Sequence, residues 1–305
     1  VAYSFPPSTT LPRKALWVGI ASYALWGFFP VYWKLFRDIS AGEILLHRLV
    51  WTLPFYLSLL AAGPGLRALA GATRRDWGAS ALASAVLSLN WGLYVYAVLS
   101  NRVVEGSLAY FLNPLLNVAV GVFVFREPFP WPLRLAVGLA TAGVALRMAF
   151  ADTFPWIALT LATSFCLYGV VKKKQSIPPA LSSALEGLVG FVPALVLLLF
   201  VRSAASVALP LAQWLLCIGA GVVTGLPLFL FSYAAQRVPY SILGILQFVA
   251  PTLQFLVGVL LYREPFGRSD VVSFGLIWAG AACYVLERLS RWQAERRRRA
   301  TLSAR

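Results

Sequence analysis

The chain has 305 residues, 60% of them hydrophobic and 12% charged, with a net charge of +15 from 26 Lys and Arg against 11 Asp and Glu. Soluble domains carry about 45–50% apolar and about 25% charged residues, so too few polar side chains are present to wet a globule of this size. A cytosolic enzyme, a nucleic-acid module and a disordered protein are excluded, and the expected solvent is lipid.

Ten apolar stretches reach the roughly 20 residues needed to cross a bilayer: 14–34, 41–62, 77–100, 104–125, 130–149, 154–171, 180–201, 211–235, 240–261 and 268–288. The runs are continuous instead of alternating, which predicts helices, since the backbone must satisfy its own hydrogen bonds in lipid. The fold class is therefore an all-α polytopic membrane protein. Around Pro6, Pro7 and Ser8 there is no basic n-region or small-residue cleavage site, so no cleaved signal peptide is expected.

Polar side chains within spans are costly in lipid and should face a cavity or a partner. In chain order, span one carries Trp17, Tyr23 and Trp26. Span two holds Glu43 and His47 one turn apart with Arg48 adjacent, either a proton-sensitive pair or an ion pair tying the helix down near the interface. Span three places Asn90 one turn from Tyr94, flanked by Trp91 and Tyr96. Span four aligns Tyr110, Asn113 and Asn117, with Pro114 freeing a backbone carbonyl. Spans six, eight and ten hold one cysteine each, Cys166, Cys217 and Cys283, too far apart for a disulfide framework or metal cluster and read as small core residues. Glu186 lies in span seven. Span eight offers Phe229 and Tyr233, with Pro227 as a bend. Span nine repeats the span-four pattern with Gly244, Gln247, Pro251 and Gln254. A basic tail, 289–305, carries Arg291, Arg296 to Arg299 and Arg305. Trp17, Trp77 and Trp156, near span ends, read as an interfacial belt.

Lys and Arg in the links set orientation. With the N-terminus in the cytoplasm, eighteen of the 26 fall inside and seven outside, with Arg48 left within a span. Both termini are thus expected in the cytoplasm. One His and one Met leave little for a metal or haem site, no P-loop is present, and no Ser/His/Asp set can be assembled. No cofactor, metal or catalysis is expected, and no nucleic acid as partner.

Residues 113–129, NPLLNVAVGVFVFREPF, match residues 250–266, APTLQFLVGVLLYREPF, at nine of seventeen positions, including Pro114 with Pro251, Gly121 with Gly258 and the REPF tail. Asn101-Arg102-Val103 answers Gln236-Arg237-Val238, and Glu43 falls near Glu186 with one gap. Spans four and nine are one element used twice. They lie five spans apart, an odd number, so the second copy is inverted. Two inverted five-helix halves are a signature of secondary transporters with a site near the midplane. The expected organisation is 14–149 and 154–288, followed by the tail. Glu127 and Glu264 in the REPF links read as local caps or pairs.

The run NWGLYVYAVLSNRVVEGSLAYFLNP at 90–114, the REPF links, Trp26-Gly27-Phe28-Phe29-Pro30 and GILQFVAPTLQF at 244–255 resemble the RarD-type branch of the drug/metabolite transporter superfamily, with its EamA repeats, from about Lys14 to Glu287. That resemblance implies ten helices, two inverted repeats and export of small metabolites. Relatives of the YddG type export amino acids, aromatic ones included, and RarD proteins are named for a chloramphenicol-sensitivity phenotype.

The expected function is a secondary transporter of the bacterial inner membrane that exports small metabolites, foremost amino acids, by alternating access. Amphipathic drugs of the chloramphenicol kind are the alternative cargo, and a passive pore or membrane scaffold the alternative class. The expected substrate-binding residues are Asn90, Trp91, Tyr94, Tyr110, Asn113, Tyr233, Gln247 and Gln254. Glu43, His47 and Glu186 are candidates for proton or charge coupling, and Pro114, Pro251 and Gly244 for hinge or close packing. The expected partners are the bilayer and a small-molecule cargo, in a monomer or a dimer.

Overall fold

The computed structural model describes residues 12–37, 39–100, 103–149, 154–201 and 209–263, and positions 271–272, 275–276, 278–280 and 282–283. The tail 289–305, Glu264 and the Asn101-Arg102 pair lie outside the described residues. Regular structure among the described residues is helical: α1 (Arg13–Gly27), α2 (Phe29–Trp33), α3 (Ala41–Ala62), a 3-10 turn (Leu66–Leu69), α4 (Arg74–Leu99), α5 (Val103–Phe123), α6 (Trp131–Ala149), α7 (Trp156–Lys174), α8 (Pro179–Val201), α9 (Leu211–Ala235), α10 (Tyr240–Leu246), α11 (Val249–Leu256) and a π turn (Val257–Leu261). Six segments are long and apolar enough to cross a membrane: Arg13–Trp33, Ala41–Ala62, Arg74–Ala97, Pro179–Phe200, Leu211–Ala235 and Tyr240–Leu261. Shorter apolar stretches, Ala109–Phe123 and Trp131–Leu146, lie in α5 and α6. The described positions between 271 and 283 are helical, where the sequence predicts a tenth span.

Local chemistry explains where these helices begin and break. Prolines occupy the N-cap positions of α1, α7, α9 and α10 (Pro12, Pro155, Pro210, Pro239), where a missing N–H costs little. Ser40 caps α3 by a reciprocal box with Glu43, satisfying two donors that the helix itself cannot. The sequence reads spans one and nine as single apolar runs with Pro251 as a hinge candidate, and the chain steps out of helix at Phe28, ahead of Pro30, and at Gln247–Phe248, ahead of Pro251. Pro251 has no N–H to give the Gln247 carbonyl one turn back. That carbonyl instead accepts from Ala250 at 3.2 Å in a tighter turn. Pro54, Pro114, Pro193 and Pro227 stay inside continuous helices, where neighbouring helices support the freed backbone.

The repeat is visible in the backbone. Among the described residues, the non-glycine positions with positive φ are Arg126 (55°) and Arg263 (53°), the same residue of the two REPF links. The packing obeys the same exchange. α1 lies on α9 as α7 lies on α4, and α3 on α9 as α8 on α4, while α3 and α8 pack on each other. α7 also packs on α5, and α1 on α11. Each half thus lends its first helix to the third and fourth elements of the other half.

Small residues permit the closest crossings. A Cβ on Gly221 of α9 would collide with the backbone carbonyl of Trp51 in α3. Gly221→Ala is therefore expected to force these helices apart and to cost about 1–3 kcal/mol. The readout is a lower thermal midpoint for protein purified in detergent, and a midpoint equal to wild type would contradict this crossing.

Among the aromatic residues read as a belt, Trp17, Trp77 and Trp156 are exposed on the bundle surface. Cys166 and Cys217 are buried, as the sequence reads them, whereas Cys283 is exposed.

Candidate functional site

A cavity of about 220 Å³ lies between the two halves, about seven waters' worth of space at roughly 30 Å³ each. α1 and α2 contribute Trp26, Phe29, Pro30 and Trp33. Arg48 comes from α3, and Asn90, Trp91 and Tyr94 from α4. Ala109, Tyr110 and Asn113 of α5, Leu161 and Phe165 of α7, and Leu228 of α9 complete the wall with Gln247 and Gln254. Seven of the eight residues expected to bind cargo therefore meet in one place, drawn from α4, α5, α11 and the break at Gln247.

The exception is Tyr233. It sits in the last turn of α9, its ring 3.9 Å from the Arg237 guanidinium carbon and its carbonyl accepting from the same side chain. Its spacing from Phe229 gave a helix face but not a depth. Leu228, five residues earlier, is the α9 residue that reaches the cavity.

The amides divide into donors and acceptors by what else they do. Asn90 Nδ2 donates to the Leu161 carbonyl (2.7 Å) and to Ser164 (2.9 Å), so it can offer cargo only its oxygen. Gln254 Nε2 donates to the Trp26 carbonyl at 3.1 Å, which leaves its oxygen and its second N–H. Gln247 is the reverse: its Oε1 accepts from Asn117 at 2.7 Å, leaving the amide N–H groups to offer. Asn113 is held on both sides, donating to the Ala162 carbonyl at 2.7 Å and accepting from Asn117 at 3.0 Å. Tyr94 and Tyr110 meet edge to face at 6.4 Å.

Arg48 is the residue that sequence reasoning missed as a site residue. Its guanidinium carbon lies 4.8 Å from the Trp33 ring centroid and 4.5 Å from that of Trp91, and its Nε donates to Thr224 Oγ1 at 2.9 Å. The available signal was the charge count, which left Arg48 alone without a link to occupy. Trp33 and Phe165 were missed as well.

The three coupling candidates separate. Glu43 caps α3 and His47 stands edge-on to Trp214 at 5.6 Å, and neither lines the cavity. Counted back from the helical prolines Pro54 and Pro193, Glu186 stands opposite His47 in the repeat, not opposite Glu43. It forms an ion pair with Lys172, whose Nζ also donates to Ser182 at 2.7 Å. Ser182 donates to Gln175, which donates to Ser80 at 3.2 Å. Glu186 also borders a second cavity of about 30 Å³, room for about one water, which shares Trp91 and Leu228 with the larger one.

The hinge candidates sit at the crossing of α5 and α10. A Cβ on Gly244 would come 2.7 Å from the Pro114 carbonyl oxygen and 3.1 Å from Asn117 Cβ. Pro251 follows the break at Gln247, which aims that side chain into the cavity. Nearby, Glu127 reaches from the first REPF link to the start of α10. It accepts from the Tyr240 N–H (2.6 Å) and from the Ser241 N–H and hydroxyl (both 2.7 Å), and lies 3.7 Å from Lys173. Its role is a cap across the molecule, where the sequence suggested a local one.

Residues 13–148 and 155–286 each match the EamA-like transporter family. A protein called RarD from Streptomyces exfoliatus is 39% identical over 298 residues, covering 96% of this chain and 93% of its own. An uncharacterized transporter, YojE of Bacillus subtilis (strain 168), is 36% identical over 293 residues, with 92% and 96% covered. A protein crystal structure superposes with a TM-score of 0.73 at 18% identity, covering 90% of this chain and 98% of that one, a likeness of fold.

Proposed function

The chain belongs to the EamA-like transporter family, and from that premise we propose that it is a secondary transporter of the bacterial inner membrane, with both termini cytoplasmic, exporting small metabolites by alternating access. Amino acids, aromatic ones included, are the proposed cargo. The carrying observation is the cavity between the halves, whose aromatic walls hold separate donors and acceptors. Such a lining suits a solute with a flat apolar part and a polar or zwitterionic head. Asn90, Trp91, Tyr94, Tyr110, Asn113, Gln247 and Gln254 form the proposed binding surface, and Tyr233 is left out. Trp91 and Leu228 separate the two cavities and act as the barrier that opens toward Glu186. Glu186, with Lys172, is the retained candidate for charge coupling.

Counterflow in proteoliposomes against amino acids, nucleobases and chloramphenicol tests this reading. Wild-type protein is expected to give saturable, competable uptake of amino acids. Tyr94→Ala and Gln247→Ala are expected to reduce it at least about tenfold, the loss from one or two charged or aromatic contacts, with an unchanged gel-filtration profile. Uptake that does not saturate would indicate a pore, and no uptake of any solute a scaffold. The aromatic wall of Trp26, Trp33, Trp91 and Phe165 favours one second reading, export of amphipathic drugs, and preferential counterflow of chloramphenicol would establish it.

A further inference from the structure

Arg48 sits seven residues into α3, about 10 Å along the helix from Ala41, and lines the main cavity. A charge at that depth is expensive and is normally matched by an opposite charge or by backbone carbonyls. Among the described residues, no carboxylate lies within ion-pair distance of Arg48. Among the described residues it faces the rings of Trp33 and Trp91 and donates Nε–H to Thr224, with Tyr94 and Tyr110 on the same cavity wall. The two indole rings fix the plane of the guanidinium, and Thr224, from the other half of the molecule, fixes its rotation within that plane. The two terminal nitrogens make no hydrogen bond to the described residues. Their parallel N–H groups form a fork that matches a carboxylate in both geometry and charge.

We infer that Arg48 is the anchor for a carboxylate on the cargo, so that the ligand class is small organic acids with an apolar body, α-amino acids among them. The inference rests on the cavity being the transport site and deepens that reading. Gln247, with amide N–H groups to offer, adds a further donor for the anionic end. The oxygens of Asn90 and Gln254 accept from an ammonium or hydroxyl carried beside that carboxylate, and Trp26 and Phe165, 5.7 Å apart and edge to face, take the apolar body. The cargo brings the counter-charge that the described residues do not supply, and it ties α3 of one half to α9 of the other through Arg48 and Thr224.

The test measures binding to purified protein by calorimetry with four probes of one skeleton: L-phenylalanine, 3-phenylpropionate, L-phenylalaninamide and phenethylamine. The two carboxylates are expected to bind about 10- to 100-fold more tightly than the amide and the amine, the worth of a charge-assisted hydrogen-bonded pair. Arg48→Gln is expected to abolish that preference. Thr224→Val, which frees the guanidinium to turn while keeping its charge, is expected to reduce it about three- to tenfold with unchanged amide binding, and it decides the matter where Arg48→Gln does not fold. Equal binding of acid and amide by wild type, absence of carboxylate binding, or a preference retained in a folded Arg48→Gln protein would overturn the anchor. The two readings fail separately. Counterflow that treats acid and amide alike removes the anchor and leaves a transporter, whereas Arg48-dependent acid binding with no counterflow leaves the anchor and removes transport.

Discussion

Lys172→Met is expected to destabilise the protein by about 3–5 kcal/mol, the cost of leaving one charge of a buried ion pair without its partner. The side chains of Lys172 and Glu186 are 0% and 6% exposed, so bulk water does not replace the missing ammonium. The chain of hydrogen bonds through Ser182, Gln175 and Ser80 loses its end at the same time, leaving Ser182 without the donor that holds it. Glu186→Gln should be harmful for the mirror-image reason. The double variant Lys172→Met/Glu186→Gln, which buries no unpaired charge, is expected to regain most of the loss, because replacing both members of such a pair is often close to neutral. Thermal unfolding of wild type and the three variants in one detergent measures the coupling directly. A double variant less stable than either single one would show that the pair does not act as a unit.

Glu127→Ala is the second change with a large expected effect. The carboxylate holds two backbone N–H groups and one hydroxyl at the start of α10 and has Lys173 beside it. Alanine strands all of these in a place where Glu127 itself is 8% exposed. An unsatisfied buried donor costs about 1–3 kcal/mol, so the sum is expected at about 3 kcal/mol or more, read as a lowered melting midpoint and reduced yield from the membrane. Glu127→Gln should fall between the two, since an amide keeps one accepting oxygen and turns a donor toward one of the N–H groups. A Glu127→Ala protein as stable as wild type would mean that α10 begins without help from the first half.

Much of this architecture could be read from residues alone. Span limits followed from hydropathy because lipid permits little else, and the duplication followed from REPF because a polar link is not repeated by composition. The cavity residues emerged from helical spacing around Pro114 and Pro251, since prolines and amides on one face have few uses in lipid. What escaped has physical causes. A helical wheel gives azimuth but not depth, so the spacing of Tyr233 from Phe229 puts it among the cargo-binding residues although it stands in the last turn of α9. Pairing across distant helices leaves no spacing, so Glu127, more than a hundred residues from Tyr240, looked like a local cap. Glu43 and Arg48 are close in sequence, yet the first turns back to Ser40 and the second forward to Trp33 and Trp91.

The exchange of first helices between the halves bears on how the protein is made. α1 leaves the ribosome well ahead of its packing partners α9 and α11, which are synthesised some two hundred residues later. Until then the Ser22 hydroxyl lacks the Pro227 carbonyl it bonds at 2.8 Å, and Tyr23, fully buried in the finished molecule, faces lipid or the insertion machinery. The first five spans therefore cannot mature as an independent unit during translation. Assembly waits for the second half to enter the bilayer and is completed by interleaving, not by docking two finished pieces.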